Sequence, residues 1–589
     1  MKFRTLKNWQ NLEQLEGLVF FVQLLEELLF DYSLDTYKPS AMNSSTLCLE
    51  TLELIKDIEN EVIDQANLPH VLEELAMNLK RDEIVQSLMD IDIDSVCSQI
   101  LNADTNLYQI KVTVQIIYSQ IRLPLYKEKN ENLLFEAVRN GREKNRIRGL
   151  TRSYVSSLIT LGYSNQYLYA VTRRIFHWGD SKIHQPEDVR LFFNVVKGDP
   201  IEYQVLFKGD SLFLEIADSC EKLDISISRD VPAEMENHLN AKNFSLDGGE
   251  DVYLICEKVS SLDVFSARES VERRLDRLSA LTNIFHHKQV PSWSKGALLI
   301  NKSVNSSRMV PASRNPMHMC SDRRSNDAAN DLYKFIENFS LAEKQSFQKY
   351  TRAVELHALA LRSDSPENQL LNLWVSLETI TPGKLNRNKA KINNIIDSTL
   401  PFLSLTYLHS LTDRLVQDFK LWNARETFSL LKPVPGESDR ERLIKLLVLP
   451  QYEDQKHLLY KSLGDFHLLR NRAHYFSENL SSTKKIKGII DNHWLRVSWQ
   501  IRRIYRARNQ IVHAGHTPAH INILIKNVHD YLDVVMGRIA DLAADGDKIN
   551  TLDQAYRYVE LFYKDFRASL GDGPVDDNNI DQILISRNI

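Results

Sequence analysis

An arginine, an asparagine beside it and a histidine five positions after the arginine stand together in Arg508-Asn509-Gln510-Ile511-Val512-His513. These are the side chains that a metal-free cleavage of RNA needs. Histidine, with an ordinary pKa of about 6.5, can take the proton of a ribose 2′-hydroxyl or return one to the leaving 5′-oxygen. Arginine stays charged, grips a phosphate through two donors and stabilises charge building on its oxygens. Asparagine orients the phosphate or the imidazole. The products would be a 2′,3′-cyclic phosphate and a 5′-hydroxyl, and DNA lacks the nucleophile. Between Trp494 and Gly515 lie five arginines (Arg496, Arg502, Arg503, Arg506, Arg508) and no Asp or Glu, in a chain of net charge -5. That local reversal of sign is the footprint of an anionic polymer, with Arg502, Arg503 and Arg506 as expected RNA contacts.

The spacing alone is weakly specific. An Arg followed five positions later by a His arises about once by chance in a chain of this size. Adding the adjacent Asn and the acid-free basic stretch reduces that to roughly a few per cent. A solvated arginine face with a satisfied histidine therefore stands as the alternative. If Val497 to Gly515 is one helix, Val497, Ile501, Ile504 and Ile511 form its apolar stripe, and Arg508 falls on that stripe. A buried guanidinium needs a partner, a cleft or an anion. Asn509 and His513 share a face about 100° round from Arg508. The three groups then converge most easily where two such helices meet, at a two-fold interface between copies. Gly515 is placed to end the helix and Thr517-Pro518 to cap the next.

Other constellations carry less. Arg470-Asn471-Arg472-Ala473-His474 mimics the motif one residue short and reads as a decoy, or as an accessory RNA contact. His513, His516 and His520 have no cysteine near them, so no metal site and no cofactor is expected. The five cysteines are scattered without a CxxC pair, which supports neither a disulfide framework nor a cysteine zinc site, and the chain reads as cytoplasmic. The basic run Arg139 to Arg152 is better read as a solvated helix face than as a second nucleic-acid surface. Leu18 to Val22 soon meets Gln23, Glu26 and Glu27, so a buried helix, not a membrane span, is expected there.

At 589 residues, with 43% hydrophobic and 26% charged side chains, the chain has material for two to four globular domains. The expected fold is mainly α. Residues 1–187 show helical spacing. Residues 188–304 switch to period two, with strands at Leu191–Val196, Ile201–Phe207, Leu212–Ile216, Leu223–Ile227 and Val252–Cys256. A helix capped by Ser266 with Glu269 then covers them through Ala267, Val271, Leu275, Leu278 and Phe285, giving an α+β module. His286-His287 reads as a surface pair. Residues 305–330 read as a linker, 331–569 as a second helical region and 570–589 as a loose tail. Ser365-Pro366 should start the helix that buries Leu370, Leu373, Trp374 and Leu377.

Asn368 to Glu378 (NQLLNLWVSLE), paired in order with Tyr505 to Gly515 (YRARNQIVHAG), resembles the Apea-like HEPN domain over roughly 335–545. The helix before it, Tyr350 to Leu361, is similar too. HEPN proteins carry an Arg, an adjacent polar residue and a His after four to six intervening residues, four of them here. That pattern falls on Arg508, Asn509 and His513. The resemblance implies a helical bundle acting as a dimeric, metal-independent endoribonuclease in antiphage defence or toxin systems. It also implies a phage-derived trigger or an antitoxin as possible partner. HEPN domains occur as inert RNA-binding or dimerisation scaffolds as well, and a toxin held by a partner is a further alternative. Glu378 is a candidate to hold Arg508 or Arg506 from behind, although a structural ion pair is the favoured reading.

Overall fold

The computed structural model describes residues 3–30, 42–102, 104–179, 182–230, 233–246, 251–319, 324–383, 391–545 and 548–585. Helix dominates, at 71% against 7% strand, so the mainly α expectation holds. The chain divides into two compact units, one of residues 1–156, 182–187 and 315–589, the other of 157–181 and 188–314. The N-terminal helices thus belong to the same unit as the C-terminal helices, which the sequence had divided into separate domains.

The smaller unit holds one antiparallel sheet: β1 Ile201–Gly209, β2 Ser226–Ser228, β3 Val252–Ser261, β4 Ala297–Asn301 and β5 Ser306–Val310, in the order β2-β3-β1-β4-β5. Both faces are covered. Tyr203, Val205 and Phe207 pack with Ala267, Val271, Leu275 and Leu278 of the Val264–Phe285 helix. Leu206, which breaks the expected alternation, joins a second small core with Met235 and Leu239 of the Ala233–Ala241 helix. A strand buried on both faces does not alternate.

Several expectations are corrected here. Leu191–Val196 lies mostly in the Val189–Val195 helix, and Leu212–Ile216 mostly in a short helix, Leu212–Glu215. Short apolar runs do not distinguish strand from buried helix. Asp263, not Ser266, caps the covering helix, accepting from the backbone N–H groups of Phe265 and Ser266. Phe285 is 87% exposed at that helix's end. The expected linker instead contains β5, which pairs with β4, and the start of the Ser325–Asn338 helix. Its polar residues suit an edge strand exposed on one side.

In the larger unit the expected Leu18–Val22 helix is Glu16–Leu29, nearly all of it buried. Ser365 caps Pro366–Ile380 by accepting from the Asn368 N–H, as expected. That helix's Leu370, Leu373, Trp374 and Leu377 share a core with Val497, Ile501 and Ile504 of the Thr483–Asn509 helix. Leu524, Val528 and Leu532 of the Ile521–Ala544 helix complete it. Of the expected loose tail, residues 570–585 are held, and 586–589 lie outside the described residues. Ile580, Ile583 and Leu584 are buried, and Arg440 donates to the carbonyls of Leu584 and Ile585.

Candidate functional site

The Thr483–Asn509 helix runs directly into a π-helical turn, Gln510–Ala514, closed by Gly515 at φ 62°. Left-handed backbone there favours glycine. The π-turn corrects the straight-helix expectation. On an α-helix Arg508 and His513 lie about 140° apart. A π-turn closes hydrogen bonds between residues five apart, so each residue advances less around the axis and that angle narrows. Arg508, Asn509 and His513 therefore come closer to one face within a single copy.

Arg508 is half-buried. Its Nη1 donates to Asn509 Oδ1 at 3.0 Å, which orients both side chains. Its Nε is buried with no hydrogen-bond partner. Asn509 is buried and His513 is exposed. A charged group with a free buried donor, beside an exposed imidazole, is an arrangement that an anionic ligand would complete.

The three arginines expected to meet RNA behave differently. Trp499, Arg503, Arg506 and Gln510, spaced by four, three and four, form one helical face. That face meets acids of the Ser44–Glu59 and Leu68–Arg81 helices. Arg503 donates to Glu50 Oε1 at 2.8 Å, Glu50 Oε2 at 2.9 Å and Glu74 Oε2 at 2.7 Å. Arg506 reaches Glu50 Oε1 at 2.6 Å, Gln510 reaches Asp57 at 2.7 Å and Trp499 reaches Glu73 at 3.5 Å. Burial opposes the charges of Glu50, Glu74, Arg503 and Arg506. Even so, Arg503 and Arg506 hold the Glu50 carboxyl well below the usual carboxylate range, and Glu50 with Glu74 raise Arg503. Burial prevails at Glu74, pushing it up, and at Arg506, pushing it down. Arg503 and Arg506 are thus only 3% and 5% exposed, and the expected open basic surface is corrected at both. The window has no acid of its own because its acids come from the front of the chain. Arg502 is half-buried and donates to Asn393 at 2.8 Å.

Around the motif, Glu378 pairs with Lys391 at 3.0 Å, the structural ion pair favoured over a contact with Arg508 or Arg506. Thr517 does not cap the next helix. Its hydroxyl donates to Glu367 at 2.8 Å, and that helix begins after His520. Burial, against the pull of Glu50, lowers His520 to about 4. Trp374 and Tyr505 rings lie 5.7 Å apart against the core. In the shorter look-alike motif, Arg472 pairs with Glu27 at 2.6 Å and Asp418 at 3.3 Å, while Asn471 accepts from Arg148. Its side chains hold helices together. Arg146 of the earlier basic run is likewise paired with Glu83.

One cluster had no sequence signal. His357, His529 and Asp533 converge, with possible ligand atoms all within 4.8 Å of one another. The Ile521–Ala544 helix supplies an i,i+4 pair, but His357 is far away in sequence, so only the fold reveals the third member. Among the described residues no helix is long and apolar enough to cross a membrane. Comparison with family models, curated proteins and solved structures finds no match to the chain.

Proposed function

We propose that the chain is a metal-independent endoribonuclease of HEPN type, cytoplasmic, acting as a dimer or higher oligomer on RNA. The observation that carries this reading is Arg508: half-buried, fixed by Asn509, its Nε unpartnered, one short turn from exposed His513. His513 takes the proton of the 2′-hydroxyl, and the 2′-oxygen forms its bond to phosphorus. The bond to the 5′-oxygen breaks, and a histidine, His513 itself or the same residue of a second copy, returns a proton to that oxygen. Arg508 stabilises the phosphate oxygens as charge builds. Asn509 keeps the guanidinium in register. Abortive infection, with a phage-derived trigger or an antitoxin, is the biological setting that the HEPN resemblance brings.

Purified protein incubated with labelled RNA in EDTA tests the site. Cleavage by the unaltered protein, ending in 2′,3′-cyclic phosphate, is expected. Arg508→Ala and His513→Ala should each lower it by roughly 10²–10⁴-fold. Equal cleavage by either variant removes the assignment. One observation favours the alternative of an inert scaffold: Arg503 and Arg506 serve internal ion pairs, which leaves a smaller basic surface for RNA. RNA retention without cleavage would identify that case.

A further inference from the structure

The Lys344–Arg362 and Ile521–Ala544 helices bring two imidazoles and a carboxylate to one point. His529 and Asp533 are one helical turn apart, so both project from the same face. His357 reaches them from the other helix. We propose that His357, His529 and Asp533 bind one divalent first-row transition-metal ion, with Zn²⁺ as the best-fitting species, which ties these two helices together.

Distance is the first support. Ligand bonds of 2.0–2.1 Å in a tetrahedral zinc site separate neighbouring ligand atoms by about 3.4 Å. His357 Nε2 lies 3.4 Å from Asp533 Oδ1, and His529 Nε2 lies 3.4 Å from Asp533 Oδ2. Each imidazole nitrogen thus stands at that edge length from one of the two Asp533 oxygens, and a small rotation of the carboxylate would bring a single oxygen to both. The rings themselves are 4.9 Å apart at an angle of 36°.

The unmet chemistry is the second support. His357 Nε2 is buried with no hydrogen-bond partner. The separations of 3.4 Å are too long for a good charge-assisted hydrogen bond, which closes to about 2.7–2.9 Å. His529 is 97% buried on its side chain, taken from 3% exposure, so its ring has little access to water. Asp533 is half-exposed and gives the ion an entry path. Two imidazoles and one carboxylate form a nitrogen-rich, borderline donor set, better matched to zinc than to calcium or magnesium. Three protein ligands leave a fourth position for water.

This site is separate from the ribonuclease reading and stands whether or not that reading holds. Full-length protein, stripped with EDTA and dialysed, is titrated with Zn²⁺ alone and, in parallel, with Co²⁺. One tightly bound equivalent is expected, with visible tetrahedral Co²⁺ absorption and a higher melting temperature. Asp533→Asn, at a half-exposed position, should lose that equivalent and that absorption while keeping the melting temperature of the stripped protein. His357→Gln is the second variant and should give the same loss. Unchanged metal content in both variants, or no binding to the unaltered protein at micromolar Zn²⁺, overturns the proposal. If cleavage of RNA occurs, EDTA should lower the melting temperature without reducing it.

Discussion

Arg508 is half-buried and its Nε is a buried donor without a partner, a cost that a bound anion would relieve. Its neighbour Asn509 holds it, and the π-turn after Asn509 swings His513 toward the same side. The residue types were legible from sequence; the turn was not. Nothing in Gln510 to Ala514 spells an extra residue in the turn. His493 is a second residue with a measurable consequence. It is 4% exposed, its ring centroid is 3.7 Å from that of Tyr407, and burial lowers it to about 3. The unfolded chain takes up a proton near pH 6.5, but folded His493 does so only near pH 3. Its contribution to stability is therefore intact above pH 6.5 and is lost progressively between pH 6.5 and about 3. In urea titrations from pH 7 to pH 5, His493→Gln should flatten the decline by up to about 1.4 kcal/mol per pH unit. An unaltered slope would show that His493 is protonated in the folded state.

At the scale of elements, the basic helix is matched by carboxylates that two helices from the front of the chain turn toward it. Arg503 and Arg506 face Glu50 and Glu74, two cations against two anions. Arg503→Met should cost about 3–5 kcal/mol, because two buried carboxylates would then share one guanidinium. Adding Glu74→Met should restore much of that loss, since Glu50 keeps Arg506 as its partner. Denaturant midpoints of the single and double variants measure this directly. A double variant no more stable than the single would show that the carboxylate was not the source of the cost. The same pairing explains why a window without acids was misread as an open surface. Charge patterning reads neighbours along the chain, and Glu50 lies more than 450 positions from Arg503.

At the scale of the molecule, the front helices and the C-terminal helices form one unit, while the strand-bearing segment is a unit of its own. The proposed dimer is tested by mixing. Arg508→Ala and His513→Ala proteins, each inactive, are co-refolded or exchanged. If each site draws Arg508 from one copy and His513 from the other, heterodimers carry one intact site. Half of the dimers are then mixed, and about a quarter of the original cleavage should return. No recovery would place both side chains in the same copy, which the narrowed angle at the π-turn also permits.

By itself the sequence determined the local periodic features. Helical spacing marked Glu16–Leu29, Pro366–Ile380 and the part of Thr483–Asn509 from Val497 on, Ser365 marked a cap, and period two marked β1. Each depends on residues within a few positions of one another, where side-chain pattern and backbone geometry are directly coupled. The tertiary structure alone decided the rest. It set Glu50 and Glu74 against Arg503, buried Leu206 under a second helix, paired the polar segment 306–310 with β4 and brought His357 to His529 and Asp533. Those relations join residues remote in the chain, and burial, ion pairing and ligand geometry follow distance in space.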